Sequence, residues 1–459
     1  MNAPEVSLFH LTLDECKRRL TQEACDFDVV RPCTVGDGVE RWSMDRVQTL
    51  ADSRENRVSA GGDCALWVPA SGAATRMFSF LQSNPEAQTR LWREADRLAF
   101  GEAWKHEVAR VTDGEATAQQ AAQVLWDMFD LGKLPKGLVP FHVTEDGGTY
   151  ETAFEAHLRL WNQAMPNGGH VWFTVQKDRR TQIQDHLAKA SQSFGFQLHF
   201  PNQDPATDTP MLDDAGAWIT DDQGEVLRRP GGHGALLPLL EQVPTPFVVI
   251  RNIDNAPSPA CTPERLLWSQ AMLEEAQAWA NERDGWRAKL AITGDVSSEL
   301  VAWLDRAGAG LTTTPTREEC VNWLTRPMRM VGVVRNEGQP GGGPFWVRVS
   351  EGPDAGLVRP QIVEAVEFSR DTQHVLNVAT HFNPVDMVCV LNPGQSLTPF
   401  VDATRHLRAR KTFQGQEVRV LEHPGLWNGG MSGWLTRFVE MPSACFQPVK
   451  SALDLIGRQ

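Results

Sequence analysis

Residues 66–78 read Leu66-Trp67-Val68-Pro69-Ala70-Ser71-Gly72-Ala73-Ala74-Thr75-Arg76-Met77-Phe78. An apolar run ends at Pro69. Four small residues and a glycine follow, then Thr75, Arg76 and a segment of helical composition. A strand, a tight small-residue turn and a helix N-terminus can together cradle a phosphate. Backbone N–H groups from Ser71 to Thr75 can approach an anion closely there, and Arg76 can add charge-assisted hydrogen bonds. The same residues also make an ordinary strand–turn–helix joint, and the loop alone does not choose between the two.

The chain around this loop has 459 residues, room for two or three domains and a large core. Its apolar fraction is 41%, which excludes disorder throughout. The formal net charge of −14, from 58 acidic and 44 basic residues, argues against a general nucleic-acid binder. A local basic pocket for a small anion remains compatible with it. The eight cysteines are dispersed and form no close CxxC pair, which fits neither a zinc knuckle nor a dense disulfide scaffold. The expected compartment is the cytoplasm: residues 1–10 lack a basic segment followed by an apolar run, and no 18-residue apolar span occurs. No membrane partner is expected. Sixteen tryptophans stand against one tyrosine, and core filling is the expected use of the indoles.

Periodicity gives an alternation of strands and helices. Residues 8–25 have helical spacing, and residues 26–62 read as loops with short helical pieces. Ala65 to Val68 form a buried strand, followed by helices through Leu81 and from Leu91 to Phe100, then a long polar helical region from Asp113 to Phe129. Leu134 to His142 holds two prolines and a glycine and reads as a structured loop. Lys136 and His142 in it are either ligand contacts or a charged loop edge and a core histidine. A helix from Thr152 to Trp161, a strand from His170 to Val175, a helix from Asp178 to Ser193 and a strand from Phe196 to Phe200 continue the pattern of a three-layer α/β domain. Phe247 to Ile250 is apolar without interruption, as in a central strand buried on both faces. Thr262 and Pro263 open a long helix over Cys261 to Leu290. Helices follow over Ser297 to Ala307 and Glu318 to Leu324. Met330 to Val334, Phe345 to Val349, Gln361 to Phe368 and Val388 to Leu391 read as strands. Gly338 to Pro344 reads as a loop, and Pro353 to Gly356 as a hairpin-like turn. The linear division this suggests is an N-terminal extension over 1–60, an α/β domain over 61–393 and a C-terminal lobe over 394–459.

Two further stretches carry chemistry. Arg228 to Leu237 places Gly231, Gly232 and Gly234 around His233, exposing backbone donors and acceptors that suit a flat base or a phosphate edge. A glycine turn with a surface histidine is the alternative. Gln203, well before it, either bonds a ligand or caps the next turn. Directly after the buried run comes Arg251-Asn252-Ile253-Asp254-Asn255. Ligands of open α/β sheets bind beyond the carboxyl ends of the strands. Asp254 there is placed to hold Mg²⁺ bridging a phosphate, since one or two carboxylates suffice when phosphates supply the other oxygens. An Asx turn at a strand end is the alternative.

Together these stretches resemble a bacterial family known only as a domain of unknown function, DUF4301. The resemblance rests on Pro69 to Met77, Gly137 to His142, Thr207-Asp208-Thr209, Arg229 to Leu236, Asn252 to Asn255 and the tail from Leu426 to Lys450. The order of motifs more distantly resembles UDP-sugar pyrophosphorylases. Gly72 to Arg76 is similar to the end of their glycine-rich signature loop, Pro230 to Gly234 to their uridine-reading element, and Ile253-Asp254-Asn255 to their metal-binding segment. Their late strand glutamate has two counterparts here, Glu364 and Glu367, and Phe446-Gln447-Pro448-Val449-Lys450 is similar to their closing motif. The departures are that the loop begins Ala70-Ser71 instead of Gly-Gly, and that Met77 to Leu81 lacks the Pro-Lys pair whose lysine neutralises phosphate charge. Lys136 or Arg229 are candidate replacements.

The resemblance implies a nucleotide-diphospho-sugar transferase-like, Rossmann-like (GT-A-type) three-layer sandwich with a smaller C-terminal lobe. It implies transfer of a nucleotidyl group from a nucleoside triphosphate to a sugar 1-phosphate. In that reading Arg76, Asp254 and Lys450 are catalytic, with Asp254 on Mg²⁺ and Lys450 on the α-phosphate or the sugar phosphate. Ser71, Gly72, Ala73, Ala74 and Thr75 hold phosphates. Gln203, Gly231, Gly232, His233 and Gly234 read the base, and Lys136, His142, Arg229, Asn255, Glu364 and Glu367 complete the binding set. A nucleotide-sugar-dependent glycosyltransferase and a non-catalytic nucleotide-binding or metabolite-sensing protein are the alternatives.

Overall fold

A computed structural model of the protein describes residues 11–21, 28–57, 63–144, 149–338 and 341–457. The expectations for residues 1–10, 22–27, 58–62 and 339–340 lie outside them. The fold is mixed α/β. Its chain forms two compact units, each drawn from three separated stretches: Met1–Arg46, Gln203–Val248 and Met272–Met441 in one, Val47–Asn202, Val249–Ala271 and Pro442–Gln459 in the other.

The second of these units contains the small-residue loop. Its strands Cys64–Pro69, Gly169–Thr174 and Phe196–His199 lie side by side and parallel, with Ala65 opposite His170 and Gly169 opposite Phe196. Residues 249–251, the end of the strand Phe247–Arg251, neighbour Cys64–Pro69 on its other side. Cys64 to Val68 and Val249 to Arg251 are buried, which is why these segments read as unbroken apolar runs. The parallel order requires crossovers, and the helix Arg180–Phe194 supplies the one between Gly169–Thr174 and Phe196–His199. The helix Ala153–Ala164 starts at a capping box in which Thr152 Oγ1 accepts from Glu155 N (3.3 Å) and a Glu155 carboxylate oxygen accepts from Thr152 N (2.8 Å). It buries Phe154, Leu158 and Trp161, and Phe154 meets Phe173 edge-on at 4.7 Å. The polar region from Asp113 to Phe129 is shorter than expected. Asp113, at φ 53°, ends the helix Gly101–Thr112, and the next helix is Ala118–Met128, capped by Thr117.

In the other unit the strands Thr34–Val35, Gly38–Glu40, Leu435–Glu440, Met328–Arg335 and His381–Val390 are neighbours in that order. Leu435 pairs in parallel with Met328, which faces Val390 in an antiparallel pair. Antiparallel sheets join Asp28–Pro32 to Gly343–Arg348 and Val358–Val363, and Arg228–Arg229 to Thr209–Leu212, Gln416–Glu422 and Leu407–Phe413. Two expectations change here. A strand begins within the glycine-rich stretch, at Gly343, because that residue pairs with Val363. The expected strand to Phe368 stops at Val363, where Glu364 and Glu367 cap a short turn of 3-10 helix, Ala365–Glu367. The long helix runs Thr262–Thr293, and Thr262 does not cap it: its hydroxyl donates to Ser258 O at 2.8 Å.

The tryptophans of this unit are more than filler. Trp42, Trp279, Trp303 and Trp346 border a recess of about 920 Å³, with guanidinium groups stacked on three of them. Arg437 there joins Glu40 (2.6 and 2.9 Å) to Glu275 (3.0 Å) while lying 5.2 Å from the Trp279 ring centroid.

Candidate functional site

The strand Phe247–Arg251 delivers the chain to a turn in which Asn255 N donates to Asn252 O at 3.0 Å. Asp254 stands on this turn with its side chain 14% exposed. The closing segment of the chain runs directly beside it. Val449 N donates to Asp254 O (2.8 Å), Gln447 N donates to Asn255 Oδ1 (2.9 Å), and Asn255 Nδ2 donates to Cys445 O (3.3 Å). Asn255 therefore spends its amide on the tail, and the buried Arg265 guanidinium donates to the same Cys445 carbonyl. Val449 is fully buried. These bonds fix the backbone at Lys450, whose ammonium donates to Asp254 Oδ2 at 2.9 Å.

Lys136 reaches the same oxygen. Its Nζ lies 3.3 Å from Asp254 Oδ2 and donates to Val449 O at 2.7 Å. The turn that carries it, Lys136–Leu138, is held in place by Gly137, where any Cβ would run into the Phe154 ring. The same turn is tied to the small-residue loop. Lys136 N donates to Gly72 O (2.9 Å), Ala74 N donates to Leu134 O (2.8 Å) and Thr75 Oγ1 donates to Gly132 O (3.2 Å). Ser71 and Ala73 are exposed, and so is Arg76. The helix after the loop, Thr75–Phe78, is one turn long, so its dipole adds little to what the backbone N–H groups supply.

The electrostatics follow from this crowding. Burial alone would raise the Asp254 carboxyl, but Lys136 and Lys450 outweigh it and hold the group below the ordinary carboxylate range. Burial pushes the Lys136 ammonium down; Asp254 opposes this, while Lys450 and Arg76 reinforce it. An ion pair ordinarily raises its lysine. Here the desolvation of Lys136 and the two neighbouring cations exceed what one shared carboxylate returns.

Among the described residues no group of three or more His, Cys, Asp or Glu side chains is placed to hold a metal ion. One carboxylate with hard oxygens suits Mg²⁺ when phosphates and water provide the remaining ligands. Asp254 meets that requirement only in company with an anion, because its Oδ2 already carries two ammonium groups.

The other expected residues are placed as follows. His142 is fully buried on the strand Pro140–Val143, with Nε2 3.3 Å from Ala256 O. Gln203, in the first unit, donates to Thr207 Oγ1 (3.1 Å) and Asp208 Oδ1 (3.3 Å), bracing a local turn. Arg229 pairs with Thr209, and its buried Nη1 has no hydrogen-bond partner among the described residues. The glycines of the 231–234 loop admit close neighbours. A Cβ on Gly231 would meet the His423 ring at 2.6 Å, one on Gly232 (φ 81°) would meet the Glu422 carboxylate at 2.6 Å, and one on Gly234 would run into the Pro424 carbonyl. His233 Nδ1 accepts from Leu426 N (3.0 Å), which leaves Nε2–H facing Glu364 Oε1 at 3.4 Å, and the ring stacks on Trp427 with centroids 4.4 Å apart. Burial works against the Glu364 charge, and His233 foremost keeps that carboxyl low. Glu367 is spoken for. One oxygen accepts from Arg405 Nε (2.9 Å) and Nη2 (2.7 Å), the other from Glu364 N (2.8 Å) and Asn428 Nδ2 (2.9 Å).

Sequence reasoning missed several partners. Arg405 and Asn428 have no local motif to announce them. Arg159, which clamps Glu151 (2.7 and 3.0 Å), Thr262 Oγ1 (2.5 Å) and Pro257 O (2.9 Å), reads in sequence as one more charged helix position.

A family model described as a domain of unknown function, DUF4301, matches residues 11–459. The chain belongs to that family. A search of curated protein sequences returns no match. Among solved structures, this DUF4301 chain is similar in fold to the uridine diphosphate N-acetylglucosamine pyrophosphorylase from Trypanosoma brucei, crystallised with an inhibitor. The TM-score is 0.50 at 14% identity, over 93% of this chain and 72% of that one. A UDP-glucose pyrophosphorylase variant from Leishmania major in complex with UDP-glucose aligns with TM-score 0.41 at 12% identity, over 96% and 69% of the two chains. A UDP-glucose phosphorylase from Trypanosoma brucei aligns with TM-score 0.42 at 12% identity, over 94% and 69%. No helix among the described residues is long and apolar enough to cross a membrane.

Proposed function

We propose that this chain is a cytoplasmic nucleotidyltransferase that joins a nucleoside triphosphate to a sugar 1-phosphate and releases pyrophosphate. The proposal includes a three-layer, GT-A-like core with a smaller C-terminal lobe. The observation that carries it is the meeting of Asp254, Lys136 and Lys450 beside the small-residue loop, all in one compact unit. In the proposed step a phosphate oxygen of the sugar phosphate attacks the α-phosphorus. A new P–O bond forms, the α–β bridging bond breaks, and pyrophosphate leaves with the electron pair. The sugar phosphate is its own nucleophile, so the protein's work is alignment and neutralisation of developing charge. Lys450 and Lys136 are placed to meet phosphate as point charges. Arg76, on the exposed side of the loop, is assigned to the departing pyrophosphate. Asp254 would hold Mg²⁺, which would offset phosphate charge there.

The test is pyrophosphate release by the purified protein with Mg²⁺, across pairs of nucleoside triphosphates and sugar 1-phosphates. Release with at least one pair, abolished in Lys450→Ala and partly restored in Lys450→Arg, is the expected result. A folded wild-type protein that releases none with any pair refutes the reading. Hydrolysis or glycosyl transfer from a UDP-sugar in its place would assign the fold to a glycosyltransferase.

A further inference from the structure

The Asp254 cluster has more positive charge than one carboxylate can use. Lys136 and Lys450 both point at one oxygen, Oδ2, and Arg76 lies near enough to act on Lys136. Among the described residues, two ammonium groups share this one carboxylate oxygen. Asp454, the next carboxylate along the tail, spends Oδ2 on the backbone N–H groups of Lys450 (2.9 Å) and Ser451 (2.7 Å). Lys133 and Arg179 border the small recess at Ala70 to Ala73, adding more cations on the loop side.

The two lysines also differ in how they are held. Lys136 is 14% exposed, with its backbone N–H on Gly72 O and its ammonium on Val449 O. It is a fixed cation that was desolvated during folding, and keeping such a group charged in a buried position is costly. Lys450 is 64% exposed and held at its backbone, so its ammonium can leave Asp254 without disturbing the fold. A carboxylate between a fixed and a swinging ammonium has the same chemistry, on a smaller scale, as a phosphate oxygen between them.

Resting on the reading of this cluster as a phosphate site, we propose that Lys136 and Lys450 form an anion site that binds polyphosphate without a divalent cation, and that Asp254 is its internal occupant until the ligand displaces it. The ligand's oxygens take over the ammonium groups, and Asp254 is thereby released to serve a cation that arrives with or after the anion. Removing the Asp254 charge then has opposite signs in two conditions. Without divalent cations it removes a competitor and tightens anion binding. With Mg²⁺ it removes a metal ligand and weakens binding.

The experiment is calorimetric titration of the full chain with inorganic pyrophosphate, in EDTA and again in Mg²⁺, at fixed ionic strength because exposed charges are screened by salt. Wild type is expected to bind in EDTA. Asp254→Asn should bind on the order of tenfold tighter in EDTA, and Lys450→Met on the order of tenfold weaker, each a change of one charge at the ligand. Lys136→Met should lose at least as much as Lys450→Met. If burial makes Lys136→Met unfold, the exposed Lys450→Met and the near-isosteric Asp254→Asn still decide the matter, with thermal melts confirming that both are folded. Pyrophosphate binding seen only with Mg²⁺, or Asp254→Asn binding equally or more weakly in EDTA, overturns the proposal. The two readings fail separately. A chain that shows the EDTA pattern yet releases no pyrophosphate from any substrate pair refutes nucleotidyl transfer alone. A chain that turns over but needs Mg²⁺ to bind pyrophosphate refutes the lysine site alone.

Discussion

Arg405→Met tests whether Glu367 is a structural group or a ligand-reading one. The Arg405 side chain is fully buried and the Glu367 side chain is 2% exposed. The substitution keeps an unbranched apolar stem but removes the two guanidinium donors to one Glu367 oxygen, together with the bonds to Gln361 Oε1 (2.5 Å) and Ile362 O (2.9 Å). Removing one member of a buried pair costs about 3–5 kcal/mol, because the charge left behind has no compensation. Glu367 retains Glu364 N and Asn428 Nδ2 on its other oxygen, which favours the lower end, about 3 kcal/mol. The loss has a defined pH dependence. Burial already raises the Glu367 carboxyl in spite of Arg405, and without the guanidinium the folded-state value rises further. A carboxyl whose folded pKa lies above its unfolded one destabilises the fold at high pH. The penalty is relieved as pH falls through the folded value toward about 4.3, where the unfolded group also protonates. Urea unfolding followed by tryptophan fluorescence should therefore show the deficit of Arg405→Met shrinking between pH 7 and pH 5, and Glu367→Gln added to the same chain should recover much of it. A loss under about 1 kcal/mol, the same at both pH values, would refute the reasoning and return Glu367 to the ligand.

Gly234→Ala places a Cβ against the carbonyls of Pro424 and His423, backbone atoms that cannot swing aside, and should lower stability by about 1–3 kcal/mol in denaturant titration. Gly285→Ala is the opposite case. It lies in the helix Thr262–Thr293 with nothing within 4 Å of an added Cβ, and should raise stability by about 0.5–1 kcal/mol. A neutral result for the first, or a loss for the second, counts against the packing described around each.

What could be read in the chain, and what could not, divides by the distance over which the physics acts. Phe247 to Ile250 was readable as a central strand because burial on both faces demands an unbroken apolar run, and burial is a property of each residue. Asp254 followed, since it lies just beyond the end of that strand. The caps were similarly local: Thr152 with Glu155 is a three-residue relation. Lys136 and Lys450 obey no local rule. They lie 118 and 196 residues from Asp254, and neither flank of either lysine records that one carboxylate serves both. For Lys450 a partial signal existed in the apolar Phe446 and Val449 around it, enough to suggest a held backbone but not what the ammonium would meet. The glycines at 231, 232 and 234 are the most instructive case. A run of glycines says only that something comes close to the backbone. In the sequence that something reads as a base or a phosphate; in the structure the neighbours are Glu422, His423 and Pro424, nearly two hundred residues later. The loop is therefore shaped first by its own chain. Any ligand it also meets must use the surfaces those contacts leave; just behind them the buried Nη1 of Arg229 has no hydrogen-bond partner among the described residues. An anion or carbonyl that satisfied it would recover part of a cost the fold already bears, which makes Arg229 the position from which to probe this loop.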